Sequence, residues 1–227
     1  MSKTIIVAGF GPGISSSVAE RFGSEGYTVA LVARNAERLA AGVKALAAKN
    51  IKAHAFPTDL SKVADVRALV GKVREALGPI DALHWNAYGS GAGDLTTAPD
   101  NELESVFDVA IHSLVAAVQS ALPDLRERKG AVLITNGGFG NLDPGVDAYV
   151  VQSNAAGLSL ANAAKNKLTG VLSAKLKGDG VYVGQVIVTG LVKGTAWDQG
   201  NATIDPKDIA AKFFELQSKR SDITATI

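Results

Sequence analysis

The chain has 227 residues, of which 47% are hydrophobic and 20% charged, and this composition excludes a disordered, collagen-like or coiled-coil chain. Lys and Arg number 23 and Asp and Glu 22, so the net charge of +1 favours neither a nucleic acid nor an anionic membrane surface as a partner. The sequence lacks cysteine, and its three histidines, His54, His84 and His112, show no metal-ligand spacing, so we expect no metal site.

The first fifteen residues resemble neither a signal peptide nor a membrane span. Their apolar run is interrupted by Gly11, Pro12 and Gly13, well short of the ~20 residues that cross a bilayer. We therefore expect a cytoplasmic protein that does not contact a membrane.

Short β-branched runs alternate with longer amphipathic runs along the whole chain. The predicted strands are 4–8, 28–33, 52–56, 82–85, 131–135 and 181–188, each with the composition of a strand buried on both faces. The predicted helices between them are 15–24, 36–49, 61–77, 102–128 and 154–177. Beyond the last strand, a helix over 205–218 begins with the N-cap and N1 pair Asp205-Pro206, and a short strand follows over 222–227. This order predicts an α/β, doubly wound Rossmann-type fold, a parallel sheet of about seven strands with helices on both faces.

A glycine-rich turn connects the first strand to the first helix. It reads Gly9-Phe10-Gly11-Pro12-Gly13-Ile14, and glycines at such a turn let backbone N–H groups approach a pyrophosphate at the positive end of the helix. The alternative is a tight strand-to-helix connection without a ligand.

The end of the second strand favours the dinucleotide interpretation. In dinucleotide-binding enzymes, the residue that contacts the adenosine ribose lies about 20 positions after the glycine turn. Ala33 offers no carboxylate to a 2′-hydroxyl, whereas Arg34 is suited to a 2′-phosphate. The sequence therefore predicts NADP(H) as the preferred cofactor, with NAD(H) as the alternative, although Arg34 as a solvated cation at a helix start is the competing interpretation.

Over nearly its whole length the sequence resembles the short-chain dehydrogenase/reductase family. The family's Thr-Gly-x-x-x-Gly-Ile-Gly corresponds to 8–15, its adenine-contacting Asp-Val/Leu pair to Asp59-Leu60, its Asn-Asn-Ala-Gly segment to 85–88, and its Pro-Gly-x-Val-x-Thr loop to 189–195. The resemblance implies that the cofactor contacts Gly9, Phe10, Gly11, Gly13, Ile14, Arg34, Asn35, Asp59, Leu60, Asn86, Ala87, Tyr88, Thr135, Gly190 and Val192.

The family's catalytic residues are absent as a set. Its reduction uses a Tyr as general acid, a Lys four residues later that tunes the Tyr pKa, a Ser and an Asn. One register places the Tyr at Tyr149, with Ser153 at the Lys position. The preferred register, fitted without gaps to the sixth strand, places Leu158 and Asn162 at these positions, similar to a divergent branch of the family.

The remaining catalytic positions are also changed. Ala110 replaces the Asn, and the segment 135–138 has no Ser at the carbonyl-binding position. Tyr149 and Tyr88 are the candidate catalytic residues, and a ring packed at a strand end is the alternative interpretation for each. For Lys165, one turn after Asn162, an exposed helix face is the favoured interpretation, and a side chain turned toward the pocket is the alternative. Trp197 is expected either in the pocket wall or in the core.

Two functions are compatible with these residues. The first is an NADP(H)-dependent oxidoreductase acting on an unknown small-molecule carbonyl or alcohol, and the second is a catalytically weak or silent NADP(H)-binding sensor or regulatory protein. We expect one dinucleotide-binding domain over 1–227, with the substrate side formed by strand-end loops and residues 189–218. The helix 102–128 is apolar on nearly every side, and small residues follow on the next long helix, which predicts a homodimer or homotetramer.

Overall fold

A parallel sheet of seven strands forms the centre of the molecule in the computed structural model, which describes residues 3–227. The strands are β1 Lys3–Ala8, β2 Tyr27–Ala33, β3 Ala53–Pro57, β4 Ala82–Trp85, β5 Ala131–Gly137, β6 Tyr182–Val188 and β7 Thr224–Thr226. Their spatial order is β3-β2-β1-β4-β5-β6-β7, and every pair is parallel. The predicted doubly wound fold is confirmed. Met1 and Ser2, with which the predicted domain begins, lie outside the described residues.

Helices cover both faces of this sheet. They are α1 Ile14–Ser24, α2 Ala36–Ala47, α3 Val63–Leu77, α4 Asp100–Phe107, α5 Ser113–Arg128, α6 Pro144–Gln152, α7 Ala156–Leu176 and α8 Pro206–Lys219. The apolar faces of α1, α2 and α8 pack on one side of the sheet, and those of α3, α5 and α7 pack on the other. Each strand in the middle of the sheet is therefore buried on both faces, which explains its continuous apolar sequence.

Two sequence-based expectations need correction. Strand β3 is largely exposed, because it lies at the edge of the sheet and has only β2 as a neighbour. Helix α6, which carries Tyr149, was not predicted. The predicted N-cap and N1 pair of the last helix is confirmed, since α8 begins at Pro206 and Asp205 accepts a hydrogen bond from Lys207 N at 2.9 Å.

The helical segment Asp100–Arg128 is interrupted by a π-helical turn, Asp108–His112, between α4 and α5. This segment of 29 residues is long and apolar enough to cross a membrane by length and composition, although core helices of soluble proteins pass the same test. Leu114, Val118 and Leu125 are buried in the core against the sheet, which gives its apolar residues a role within the fold.

The sheet order places a crevice where ligands of this fold class bind. The strand order reverses between β1 and β4, which are neighbours in space. The chain runs outward from β1 to β3 and then returns to place β4 on the other side of β1. In open parallel sheets, ligands occupy the crevice outside the carboxyl ends of the strands at this point. The glycine-rich turn after β1 and the segment after β4 meet there.

Candidate cofactor and substrate site

The glycine-rich turn is fixed to both neighbouring strands. Gly9 N and Phe10 N donate to Val32 O, at 3.0 and 2.8 Å. Gly9 has a φ of 82°, and a Cβ at this position would lie 2.6 Å from Ala87 N. Only glycine therefore allows β1 to end this close to the segment after β4.

The turn leaves open space beside the start of α1. A Cβ on Gly11 would meet no atom within 4 Å. Gly13 caps α1 with a φ of 85°, and no side chain caps this helix N-terminus in the part of the chain that the structure describes. Ser15, which stands where the family has a third glycine, is buried and its hydroxyl accepts from Gly11 N at 2.9 Å. The serine therefore stabilises the turn, and its hydroxyl engages the backbone N–H of Gly11.

Arg34, at the end of β2, is an exposed cation next to Asp59. Asn35, a predicted cofactor residue, is the N-cap of α2 and accepts from Arg38 N at 2.7 Å. Asp59 accepts from the Ser61 hydroxyl at 2.7 Å and from Ser61 N at 3.0 Å. These hydrogen bonds, with smaller contributions from Lys62 and Arg34, hold the pKa of the Asp59 carboxyl below its usual value. Asp59 is therefore ionised at neutral pH and oriented beside Arg34.

The other predicted cofactor residues surround the same crevice. Asn86 N donates to Ala8 O at 2.9 Å, which draws the chain after β4 toward β1. Leu60 and Val192 are buried, and Gly190 begins a loop that returns to the glycine turn, where Thr195 contacts the Gly13 position. Ile14 begins α1, and Thr135 lies near the end of β5.

An aromatic pair stands over the carboxyl end of β4. The indole nitrogen of Trp197 donates to the Tyr88 hydroxyl at 3.2 Å, across 109 residues of sequence. Both side chains are about half exposed, at 56% and 46%. Since the Tyr88 oxygen accepts this bond, its own proton remains available to another acceptor. Trp197 therefore lines the entrance and is not a core residue.

The positions of the preferred catalytic register lie together. Leu158 is half-buried in the first turn of α7, and Asn162 is buried one turn later on the same face. A Cβ on Gly137, at the end of β5, would lie 2.6 Å from Asn162 Nδ2. Ala110 is fully buried in the π-helical turn, in contact with the same region of α7 through Ala161. Asn162 therefore packs directly against Gly137 at the end of β5.

Tyr149 occupies a different place. It lies on α6, is 54% exposed, and packs its ring against Phe139 with centroids 5.7 Å apart. Ser153, four residues later, is the C-cap of α6 and carries no charge. Tyr149 therefore lies at the rim of the site, without a lysine at the family's spacing.

A buried polar cluster lies beneath these positions. Lys165 is buried, not exposed as the sequence led us to expect, and its Nζ donates to Thr135 O at 3.0 Å. Burial lowers the pKa of Lys165 to about 8. On the other side of Thr135, His84 Nε2 is 3.0 Å from the hydroxyl, and burial lowers the pKa of this imidazole to about 3. The site thus contains a cation that sequence reasoning had placed at the surface.

Comparison with protein families identifies one match. The sequence model described as short chain dehydrogenase matches residues 3–203. A 3-oxoacyl-acyl-carrier-protein reductase, FabG from Staphylococcus aureus, is 28% identical over 170 residues, covering 74% of this chain and 69% of that relative. The ketoacyl reductase HetN from a Nostoc species is 25% identical over 225 residues, covering 99% of this chain and 74% of HetN.

Solved structures show the same fold. A short-chain dehydrogenase/reductase from Serratia marcescens superposes with a TM-score of 0.88 at 21% identity, covering 99% of this chain and 96% of that one. The L-sorbose reductase from Gluconobacter frateurii, solved with NADPH and L-sorbose, superposes with a TM-score of 0.86 at 20% identity, covering 100% and 95%. At these identities the structural likeness establishes the fold alone.

Proposed function

The chain belongs to the short chain dehydrogenase family, and on that premise we propose that it is an oxidoreductase that uses NADP(H) and acts on a small carbonyl or alcohol. When bound, the nicotinamide supplies or accepts the hydride. The residues of the crevice fit such a cofactor, because the glycine turn leaves open space at Gly11, beside an α1 N-terminus that no side chain caps in the described residues. This observation carries the proposal.

Arg34 supports a preference for NADP(H) over NAD(H). The guanidinium is exposed directly after the end of β2. A planar, forked cation is suited to a 2′-phosphate, and Ala33 provides no acceptor for a 2′-hydroxyl.

The test of this preference is calorimetric titration of NADPH and NADH. One charge-assisted contact predicts that NADPH binds about 10- to 150-fold more tightly than NADH. Arg34→Ala should remove most of that difference, whereas Arg67→Ala, an exposed arginine on α3, should retain it. Equal affinities in the wild type, or a preference that survives Arg34→Ala, would contradict the assignment.

Proton transfer is the weak point of the proposed reaction. Under the preferred register Leu158 has no proton to donate and Asn162 has no charge, so the Tyr and Lys pair of the family does not operate. Tyr149 and Tyr88 are the hydroxyl groups that we assign to any residual proton donation. Neither is followed four residues later by a lysine, the arrangement that the family uses, so we expect slow turnover.

The second candidate function is an NADP(H)-binding sensor or regulatory protein without turnover. It is favoured by the packing of Asn162 against Gly137, which closes the position of the carbonyl-binding serine. NADPH binding without oxidation of the nucleotide by any carbonyl substrate would support this candidate over the first.

We also propose that the chain is cytoplasmic and assembles as a homodimer or homotetramer. Leu160 and Val171 are exposed on α7, and a shallow groove on the outer face of this helix is lined by Ala163, Asn166, Lys167, Gly170, Val171 and Ala174. Part of the apolar surface predicted for assembly, including Leu114 and Ala121, instead packs within the fold. Light scattering that gives a particle of 23.4 kDa at micromolar concentration would contradict assembly.

A further inference from the structure

Lys165 places a buried ammonium group beneath the catalytic end of the sheet. Its residue is 4% exposed, and its Nζ donates to the carbonyl oxygen of Thr135 at 3.0 Å. Thr135 follows Ile134, which pairs with Trp85, the last residue of β4. The ammonium group is therefore held at the level where β4 has ended and β5 continues toward the crevice.

The immediate hydrogen-bonding neighbours of Lys165 are neutral. The Thr135 hydroxyl pairs with His84, which burial keeps uncharged at neutral pH. The next residue, Asn136, donates through Nδ2 to Asn162 O at 3.1 Å and to Gln185 Oε1 at 3.0 Å. Burial is the cause of the lowered Lys165 pKa, and no carboxylate opposes it.

Titratable groups on the elements packed against α7 are engaged or exposed elsewhere. They are Asp100, Glu102 and Glu104 on α4, Asp108 paired with His112 in the π-helical turn, Asp147 and Tyr149 on α6, Lys177 and Asp179 after α7, and Tyr182 on β6, which donates to Asp222 O. Strand β5 carries no titratable side chain. On α7 itself, Lys167 and Lys175 are exposed.

A buried cation without a counter-ion disfavours the folded state. A methionine of similar length would fill the same space without that penalty, so packing does not explain a lysine here. A buried ion such as Lys165 interacts with a nearby charge more strongly than an ion in water does, because the effective dielectric constant is lower in the protein interior. The charge of Lys165 therefore affects most strongly a ligand whose own charge changes during its reaction.

We propose that Lys165 makes the site discriminate between the two redox forms of its cofactor, favouring NADPH over NADP⁺. The nicotinamide ring carries one positive charge when oxidised and none when reduced, whereas the phosphate groups are the same in both forms. The protonated ammonium therefore repels the oxidised ring and leaves the reduced ring unaffected. This inference rests on the proposed binding of NADP(H), and it holds for an enzyme and for a silent sensor alike.

The pH dependence follows from the protonation of Lys165. Below pH 8 the side chain is charged, so the preference for NADPH is fully present. As the pH rises through about 8 the ammonium loses its proton and the preference declines. Binding of NADP⁺ below this pH also drives a proton off Lys165, whereas binding of NADPH does not. The 2′-phosphate titrates in both forms and cancels in their ratio.

The test is calorimetric titration of NADPH and NADP⁺ between about pH 6.5 and about pH 9.5, in buffers of different ionisation enthalpy. In the wild type we expect the ratio of the two affinities to fall about tenfold across this range, with proton release on binding of NADP⁺. Lys165→Met should give a ratio that is independent of pH. Lys167→Met, an exposed lysine on the same helix, should behave as the wild type.

The possible outcomes separate this inference from the proposed function. If neither nucleotide binds, the proposed function fails and the inference fails with it. If both bind and the wild-type ratio does not change with pH, or Lys165→Met leaves its pH dependence intact, only the role of Lys165 is overturned. Lys165→Gln is a second neutral variant should Lys165→Met fold poorly, and the wild-type pH series tests the inference without any variant.

Discussion

The two halves of the crevice differ in how far they follow the family pattern. On the β1–β2 side, the glycine turn is bonded to Val32 and Arg34 lies beside an ionised Asp59. On the β5–α7 side, the register that we prefer predicts Leu158 and Asn162 at the family's tyrosine and lysine positions, and Asn162 packs against Gly137. We therefore expect the first half to bind a dinucleotide and the second to lack the family's proton-transfer groups.

This expected difference places the groups for cofactor binding and for proton transfer on separate parts of the fold. The glycine turn is constrained by backbone contacts, because any Cβ at Gly9 meets the backbone of Ala87. The catalytic positions are side chains on one face of α7, and exchanging them leaves the sheet unchanged. A chain of this fold can therefore bind its cofactor while its chemistry is altered.

The largest effect that we predict concerns turnover on the β5–α7 side. With generic carbonyl substrates and saturating NADPH, the rate of NADPH oxidation should be about 10² to 10⁴ lower than in an enzyme that has a positioned general acid. Nucleotide absorbance over a carbonyl panel measures it. Any residual activity carried by Tyr149 should fall by a comparable factor in Tyr149→Phe, with NADPH binding unchanged.

Tyr88→Phe is the companion variant for that experiment. Loss of activity in one of the two variants alone would identify the proton donor. Rapid turnover that survives both substitutions would show that the catalytic group lies elsewhere. It would also contradict the expected lack of proton-transfer groups on the β5–α7 side.

On the β1–β2 side, two alanine substitutions in the glycine turn should have different effects. One should mainly lower stability, and the other should mainly weaken NADPH binding. Gly9→Ala should lower the free energy of unfolding by about 2 to 4 kcal/mol, because it combines a positive φ with a backbone clash. Gly11→Ala should change stability by less than about 0.5 kcal/mol, since its Cβ meets no atom, yet weaken NADPH binding by occupying the anion space. Urea unfolding and calorimetry measure the two effects. A stable Gly9→Ala, or unchanged NADPH affinity in Gly11→Ala, would contradict the geometry.

The buried Lys165 predicts a pH-dependent stability. In the unfolded chain its pKa is about 10.4 and in the folded chain about 8, so between these values the unfolded state binds more protons and stability rises with pH. Lys165→Met should therefore raise the free energy of unfolding at pH 7 by up to about 3 kcal/mol, and the gain should shrink between pH 8 and about 10. Denaturation across this range measures it. An equal gain in Lys167→Met, or none in Lys165→Met, would show that Lys165 is not a buried cation.

The sheet and the cofactor turn could be predicted because their signals are local. Buried strands are continuous apolar runs, and Gly9 and Gly13 sit where the backbone has positive φ. Helix α6 was missed although Asp143-Pro144 repeats the cap signal that identified α8 at Asp205-Pro206. Its residues carry no apolar stripe, so the cap was the available signal.

The rest of the site depends on contacts that sequence does not encode locally. The bond between Trp197 and Tyr88 joins two distant loops. Lys165 was expected at the surface because lysines seldom lie fully buried. A signal existed in its spacing of four from Ala161 and Thr169, which places all three on the buried face of α7.

Restoring the family's residues on the β5–α7 side tests whether this side lacks the groups for proton transfer. The variant combines Leu158→Tyr, Asn162→Lys and Gly137→Ser, and Asn162 is exchanged together with Gly137 because a Cβ at Gly137 would lie 2.6 Å from its amide nitrogen. The measurement is the rate of ketone-dependent NADPH oxidation at saturating nucleotide, beside the wild type. We expect an increase of about 10² or more with unchanged NADPH affinity. A wild type that already turns over rapidly, and loses activity in this variant, would show that its own catalytic groups are intact.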